Sequence, residues 1–312
     1  MSLDLAFDDA QQAIADTLTQ FCVERCPDEE LKALENRFPD ALWRELGELG
    51  VLALMTPHGD GGAVELVAAC QALGRGVFPG PLPAVFFATQ VLPGPECERV
   101  AAGEQVASVG APPLFPWAPH AGLFVALEGE RAWLCEPRGE VEPVETLGGE
   151  PWGRVEVERR AELAGVARAR VVYELALAAT LAGAGLRLVE DTAEHARTRK
   201  QFGRAIGEFQ SVAHPLASAQ IDLAGVETLA RAAAWSLDEG REAEARATAA
   251  AAGMAARRAA VAAAHTCHQL FGAIGITNEG PVFHITRRIR QLASELPGGA
   301  PARDALLQDL GL

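Results

Sequence analysis

The chain has 312 residues, 49% of them hydrophobic and 22% charged, a composition that buries a sizeable core and excludes a disordered or low-complexity chain. At roughly 150 residues per domain it holds about two domains. Its 27 Lys+Arg against 42 Asp+Glu leave a net charge of −15, which argues against a nucleic-acid binder and against docking on anionic lipid, since both need a basic face.

The N-terminus, MSLDLAFDDAQQ, has neither a basic n-region nor an apolar h-region, so no signal peptide is expected. No apolar run approaches roughly 20 residues, so no membrane span is expected either, and the cytosol is the expected compartment. The six cysteines, Cys22, Cys26, Cys70, Cys97, Cys135 and Cys267, form no CxxC and read as reduced core thiols. Cys22 and Cys26 share i, i+4 spacing, but no second ligand pair follows at zinc spacing, so no metal site is expected.

In chain order, Ala10, Ile14, Leu18 and Phe21 repeat at 3.6-residue spacing and predict a helix. Pro39-Asp40 opens a second amphipathic segment through Leu42, Leu46, Leu49 and Val51, which stops at the breaker cluster Pro57–Gly62. A third helix, from Ala63 to about Leu73, is expected to end at Gly74 and Gly76. Phe78–Pro83 then reads as a rigid extended connector. Between Val106 and Val157 four short β-prone runs appear, 106–109, 122–127, 131–135 and 153–157, bounded by Pro and Gly. They make a β-domain too small to bury much by itself. From about residue 159 the pattern is helical: 161–200, 209–237 with Pro215 as a possible kink, an Ala-rich run over 241–271, and a last helix over 281–296. Four such helices on short turns predict an antiparallel four-helix bundle. The fold class is mainly α with a small middle β-domain, divided as a helical domain 1–105, a β-domain 106–158 and a bundle 159–312.

Two segments carry chemistry. In Arg199-Lys-Gln-Phe-Gly203, Arg199 and Phe202 are three apart, offering a guanidinium for a pyrophosphate and a ring for a planar group. Taken alone, the pair reads first as a solvated arginine and a core aromatic. In Gln269-Leu-Phe-Gly-Ala-Ile-Gly275, two glycines after a helix end let backbone N–H groups approach a ligand, or simply cap the helix. No strand precedes them, so a Rossmann site is excluded. His265 and His268 flank Cys267 without further ligands and read as packing or surface residues.

Together these residues bring up a family. Arg199-Lys-Gln-Phe-Gly-x-x-Ile-Gly-x-Phe-Gln210 and Gln269-Leu-Phe-Gly-x-x-Gly275 resemble the acyl-CoA dehydrogenases. So, in the same order, do Leu42–Gly50, Gly61-Gly62, Leu73-Gly-Arg75, Pro79-x-Pro81-Leu82, Thr277-x-Glu279 and Arg287-Arg288. The resemblance implies FAD, a helical N-domain, a middle β-domain and a C-terminal four-helix bundle. It also implies that Arg199, Gln201, Phe202, Gln210, Gln269, Gly272 and Ala273 hold the pyrophosphate and adenosine side of a FAD whose ring sits in a neighbouring subunit, with Ala273 replacing the family's second glycine.

The departures are as informative. The middle domain is about half the family's size, and the loops that grip the flavin ring are missing. The family's catalytic glutamate has two positions; register puts them at Leu296 and Tyr173, leaving Glu174 and Glu295 only as neighbouring fallback bases. His195 takes the place of an aromatic residue and reads as structural. The chain thus resembles the shortened subunit of bacterial α2β2 acyl-CoA dehydrogenases that act on CoA thioesters of steroid side chains. The expectation is a subunit without catalytic residues of its own, completing the FAD site of a longer homologue that also holds most of the acyl-CoA. A self-sufficient homo-oligomeric dehydrogenase using Glu174 or Glu295, and a flavin-free helical scaffold, stay open as alternatives.

Overall fold

The computed structural model describes residues 5–295 apart from 35, 36, 147 and 279, together with all but the side chain of residue 33. Glu279 of the Thr277 motif and the Leu296 position lie outside the described residues.

Six helices open the chain: α1 (Asp9–Arg25), α2 (Asp28–Ala33), α3 (Asp40–Glu48), α4 (Ala63–Arg75), α5 (Leu82–Val91) and α6 (Gly94–Ala101). An Asp8 capping box starts α1, its carboxylate accepting from the Gln11 amide at 2.9 Å. Glycine 50, at φ 75°, ends the α3 segment before a separate 3₁₀ turn at Val51–Ala53, so the expected single apolar face breaks and Leu49 is left exposed. Helix α4 does not stop at Gly74. That glycine lies within it because a Cβ there would collide with the Thr180 carbonyl, while one on Gly183 would collide with the Gln71 carbonyl. The two glycines are where α4 crosses the first bundle helix. Helix α5 follows the Pro-rich connector and is buried on every side.

The middle region is a five-stranded mixed sheet of β1 (Ala107–Gly110), β2 (Leu114–Pro116), β3 (Leu123–Glu128), β4 (Arg131–Val144) and β5 (Trp152–Leu163), in the order β1-β3-β4-β5-β2. Only β1 and β3 are parallel. Strands β4 and β5 are much longer than the alternating runs suggested, and β5 continues to Leu163. Val109, Val125, Leu127 and Leu163 join the helical core, while Phe115, Phe124, Ala126, Cys135 and Val155 form a small core of their own. The sheet therefore leans on the helices, as its size requires.

The bundle comprises α7 (Val166–Thr198), α8 (Gln210–Asp238), α9 (Glu242–Phe271) and α10 (Val282–Ser294). A two-residue hairpin, β6 (Lys200–Gln201) and β7 (Arg204–Ala205), joins α7 to a 3₁₀ turn ahead of α8. Asp238 closes the bundle onto the N-terminal region: its carboxylate accepts from the Ala63 and Val64 amides at 2.8 and 3.1 Å, capping α4. Both α7 and the stretch Glu242–Ile276 contain windows long and apolar enough to cross a membrane, contrary to the expectation of no such run. Alanine, small and apolar, accounts for much of this, and the window in α7 is largely buried among the other helices.

Candidate functional site

The first motif forms the tip of α7. The Arg199 amide donates to the His195 carbonyl at 2.9 Å, ending the helix, and the Ile206 amide donates to the Arg199 carbonyl at 2.9 Å, closing the hairpin. Its turn is Phe202-Gly203, at φ 53° and 83°. Left-handed backbone at both central residues suits the right-handed twist of a two-residue hairpin, and at Phe202 it is strained for a residue with a side chain. Yet this strained residue is not a core aromatic: Phe202 is 93% exposed. Its ring meets Phe209 edge-on at 6.2 Å, and the Arg204 guanidinium lies over Phe209 at 4.0 Å. Arg199, Lys200 and Arg204 make no ion pair among the described residues. Gln201 is exposed on the hairpin, and Gln210 is exposed at the first turn of α8.

The second motif is brought beside the first through His195. Its ring stacks on Phe271 at 4.3 Å and 17°, joining the ends of α7 and α9. Burial and the nearby Arg199 hold this imidazole below its usual pKa, so it stays neutral at pH 7. Gln269, Gly272 and Ala273 are exposed at the end of α9, where Gly272 turns the chain at φ 64°. Ile276, in the following 3₁₀ turn, is 74% exposed, and Ile274 is also exposed. All seven residues assigned from sequence thus lie at this end of the bundle. An exposed ring and two exposed isoleucines, at an end of the bundle whose cations make no ion pair among the described residues, form a surface suited to a planar, anionic group carried by another protein. An ADP moiety fits it: the guanidiniums match the charge and the bare ring matches the plane.

The neighbouring histidines face α10. His268 Nε2 lies 2.9 Å from Thr286 Oγ1, and His265 contacts Arg290. They hold one helix against another.

Tyr173, at one position for a catalytic carboxylate, and Glu295, the residue before the other, meet elsewhere, in the junction of α7, α10 and the loop before β5. Tyr173 is buried and its hydroxyl donates to the Glu295 carbonyl at 3.3 Å. Glu295 is 1% exposed; burial pushes its carboxyl up to about 7, against the opposing pull of Arg288, and Oε1 has no hydrogen-bond partner. Burial pushes the Arg288 guanidinium down to about 10. Arg288 donates to the Gly80 carbonyl at 2.6 Å and forms an ion pair with buried Glu150. A Cβ on Gly148 would collide with Gln291, and one on Gly149 with Arg287, so this loop is seated directly on α10. Glu174 points away, as its position about 100° around the helix from Tyr173 requires. It is held in the α7–α9 interface by Arg257 at 2.7 and 3.2 Å, which removes it as a free base.

Sequence reasoning missed Glu150, whose pairing with Arg288 spans more than a hundred residues, and Asp238. Neither sits in a motif, and only the tertiary fold gives them partners.

Known proteins place these features. The sequence model "Acyl-CoA dehydrogenase, C-terminal domain" matches residues 167–300, and "Acyl-CoA dehydrogenase, N-terminal domain" matches residues 8–95. Acyl-CoA dehydrogenase FadE27 of Mycobacterium tuberculosis is 28% identical, over 86% of this chain and 87% of its own. That alignment runs over 326 positions, so FadE27 carries tens of residues that this chain lacks. A chain of the ChsE4-ChsE5 complex from Mycobacterium tuberculosis superposes with a TM-score of 0.86 at 26% identity, over 99% of each chain. The FAD complex of PigA superposes at 0.83 and 20% identity, over 99% of this chain and 100% of that one, and shows the fold alone. Two domain models in order, a fold shared end to end and the exposed motifs at the bundle tip agree: this chain belongs to the acyl-CoA dehydrogenase family.

Proposed function

We propose that this chain is the shortened subunit of a heteromeric, cytosolic, FAD-dependent acyl-CoA dehydrogenase, and that it completes the cofactor site of a longer partner without supplying a catalytic base. The observation that carries this reading is burial at the junction: Tyr173, at one position for the family's carboxylate, and Glu295, the residue before the other, are both buried there beside the Arg288–Glu150 ion pair. α-Proton abstraction from a thioester needs a carboxylate open to a substrate beside the flavin. Glu295 is closed off.

FAD, when bound, accepts the hydride in the α,β-desaturation of an acyl-CoA. The role of this chain's own residues is binding. Arg199 offers a planar fork to a pyrophosphate, Phe202 a face to a flat ring, and Gln201, Gln210, Gln269 and the Gly272-Ala273 backbone a polar edge. The structural likeness to a chain of a two-protein complex, and the residues present in FadE27 but missing here, support a partner that carries the flavin-ring site. We extend the proposal to a steroid side-chain thioester held mainly by that partner, on the resemblance of the shortened subunit.

A second reading has one observation behind it: the carboxyl of Glu295, raised by burial to about 7 and unpartnered at Oε1, has the protonation behaviour of a general base. Visible spectroscopy separates the two. Purified alone, the chain is expected to be flavin-free or poorly soluble; co-expressed with a longer homologue, it is expected to yield a yellow complex. Bound flavin with turnover in the chain alone would select the second reading, and no flavin even in the complex would leave only a scaffold.

A further inference from the structure

The two motifs at the bundle tip arrive on separate helices, and a ring stack joins them. His195 lies in the last turn of α7 and Phe271 is the last residue of α9; their rings stack at 4.3 Å with 17° between the planes. From His195 to the first motif is one backbone bond, the Arg199 amide donating to the His195 carbonyl at 2.9 Å. The turn ahead of α8 is seated on the next residue, since a Cβ on Gly207 would come within 3.2 Å of the Ala196 carbonyl. From Phe271 the second motif is the chain itself, Gly272 and Ala273. That turn folds back tightly: a Cβ on Gly275 would lie 3.0 Å from both the Phe271 Cβ and the His268 carbonyl. Further from the tip, Cys267 Sγ donates to the Leu188 carbonyl at 3.6 Å, which ties the helix bodies together. Phe271 is buried and His195 half-buried, while Phe202, Gln269, Ala273 and Ile276 around them stand in solvent.

We propose that His195 is a positioning residue of the cofactor-lending surface: its stack on Phe271 sets the backbone from which Arg199 reaches and the Gly272-Ala273 turn at the spacing of one pyrophosphate-bearing ligand. This rests on the reading of the tip as the ADP side of a FAD site. The ring of His195 faces Phe271, so it acts through Arg199 and Gly272 and not on the ligand itself. Two surfaces held in register before the ligand arrives lose less freedom on binding it, and affinity rises by that difference. Burial and Arg199 keep the imidazole neutral. It therefore meets Phe271 as a flat aromatic ring and adds no second positive charge beside the guanidinium. His268, the titratable residue one turn back on α9, is turned to Thr286 and takes no part.

Flavin release from the complex co-expressed with a longer homologue, followed by fluorescence on dilution, tests this. His195→Leu keeps an apolar side chain at the position and removes the plane, so release should quicken about three- to tenfold, the worth of one aromatic stack. His195→Phe should restore most of the loss, because a phenyl ring stacks as an imidazole does. With Arg199→Ala already in place, His195→Leu should add less than about twofold, the non-additivity of a residue that acts through another. Wild-type release from His195→Leu, equal quickening by His195→Phe, or full additivity with Arg199→Ala would each overturn the positioning role and leave the cofactor surface standing. Wild-type release from Arg199→Ala would remove the surface itself, and the role of His195 with it.

Discussion

Two ends of the bundle treat their functional side chains in opposite ways. At the tip of α7, Phe202 is strained and bare, beside cations that make no ion pair among the described residues. At the junction with α10, Tyr173, Glu295, Arg288 and Glu150 are buried, Tyr173 bonded to the Glu295 carbonyl and Arg288 paired with Glu150. Folding alone gains nothing from leaving an aromatic ring in water at a positive φ; a partner or ligand that covers it does. A buried ion pair is in turn weak evidence for stability by itself. One end of the bundle thus presents its charged and aromatic side chains to solvent, and the other buries them.

The comparison breaks most visibly at the shut end. Removing one member of a buried ion pair leaves the other charge stranded, at about 3–5 kcal/mol. Arg288→Ala is therefore expected to lower Tm by on the order of 10 °C for a chain of this size. A shift of only one or two degrees, by scanning calorimetry, would mean the junction is looser than described.

At the open end the effect is on ligand, not stability. Arg199→Ala is expected to weaken FAD retention in the complex roughly ten- to a hundredfold, for charge-assisted bonds of about 1.5–3 kcal/mol. Arg199→Lys should rescue only part, since an ammonium lacks the planar fork. Arg204 is a poor control of equal charge, because its guanidinium covers Phe209. Flavin release on dilution, followed by fluorescence, reads these; release at the wild-type rate in Arg199→Ala sinks the lending surface.

The pH dependence of stability sharpens the shut end further. The Glu295 carboxyl is raised from 4.5 to about 7 on folding, so between those values the folded state binds the extra proton. Stability attributable to Glu295 is thus fully present below about pH 4.5 and is lost as pH rises through 7. Tm should fall across that window in the wild type and less steeply in Glu295→Gln. Parallel profiles would show that Glu295 is solvated.

The smallest effect expected is on turnover. With the chemistry in the partner, Glu174→Gln and Glu295→Gln should leave kcat of the complex within a few-fold, whereas losing a general base costs about a hundredfold or more. A loss that large with FAD still bound would move catalysis into this chain.

Much of this organisation was legible from residues. Long helical runs between short turns marked the bundle helices, and the Arg199–Gly203 motif marked the tip. Helices α5 and α6 were not foreseen: α5 is buried all round and so has no polar face to set a period. Strands β4 and β5 were underestimated because Pro137, Gly139 and Pro143 break the alternation that pairing tolerates at a register shift. Gly74 was misread as a helix stop because its real cause, the crossing with Gly183, is a tertiary contact. The cationic tip could be named in advance; that Phe202 stands in solvent while Glu295 does not is decided by which surfaces the fold brings together.

The count of flavins in the assembled complex bears most directly on the central claim. Absorbance at the flavin band against protein mass for an α2β2 assembly should give two FAD per tetramer, one for each longer subunit. Four would show that this chain has a flavin-ring site of its own, and the closed junction would not be what it is taken to be.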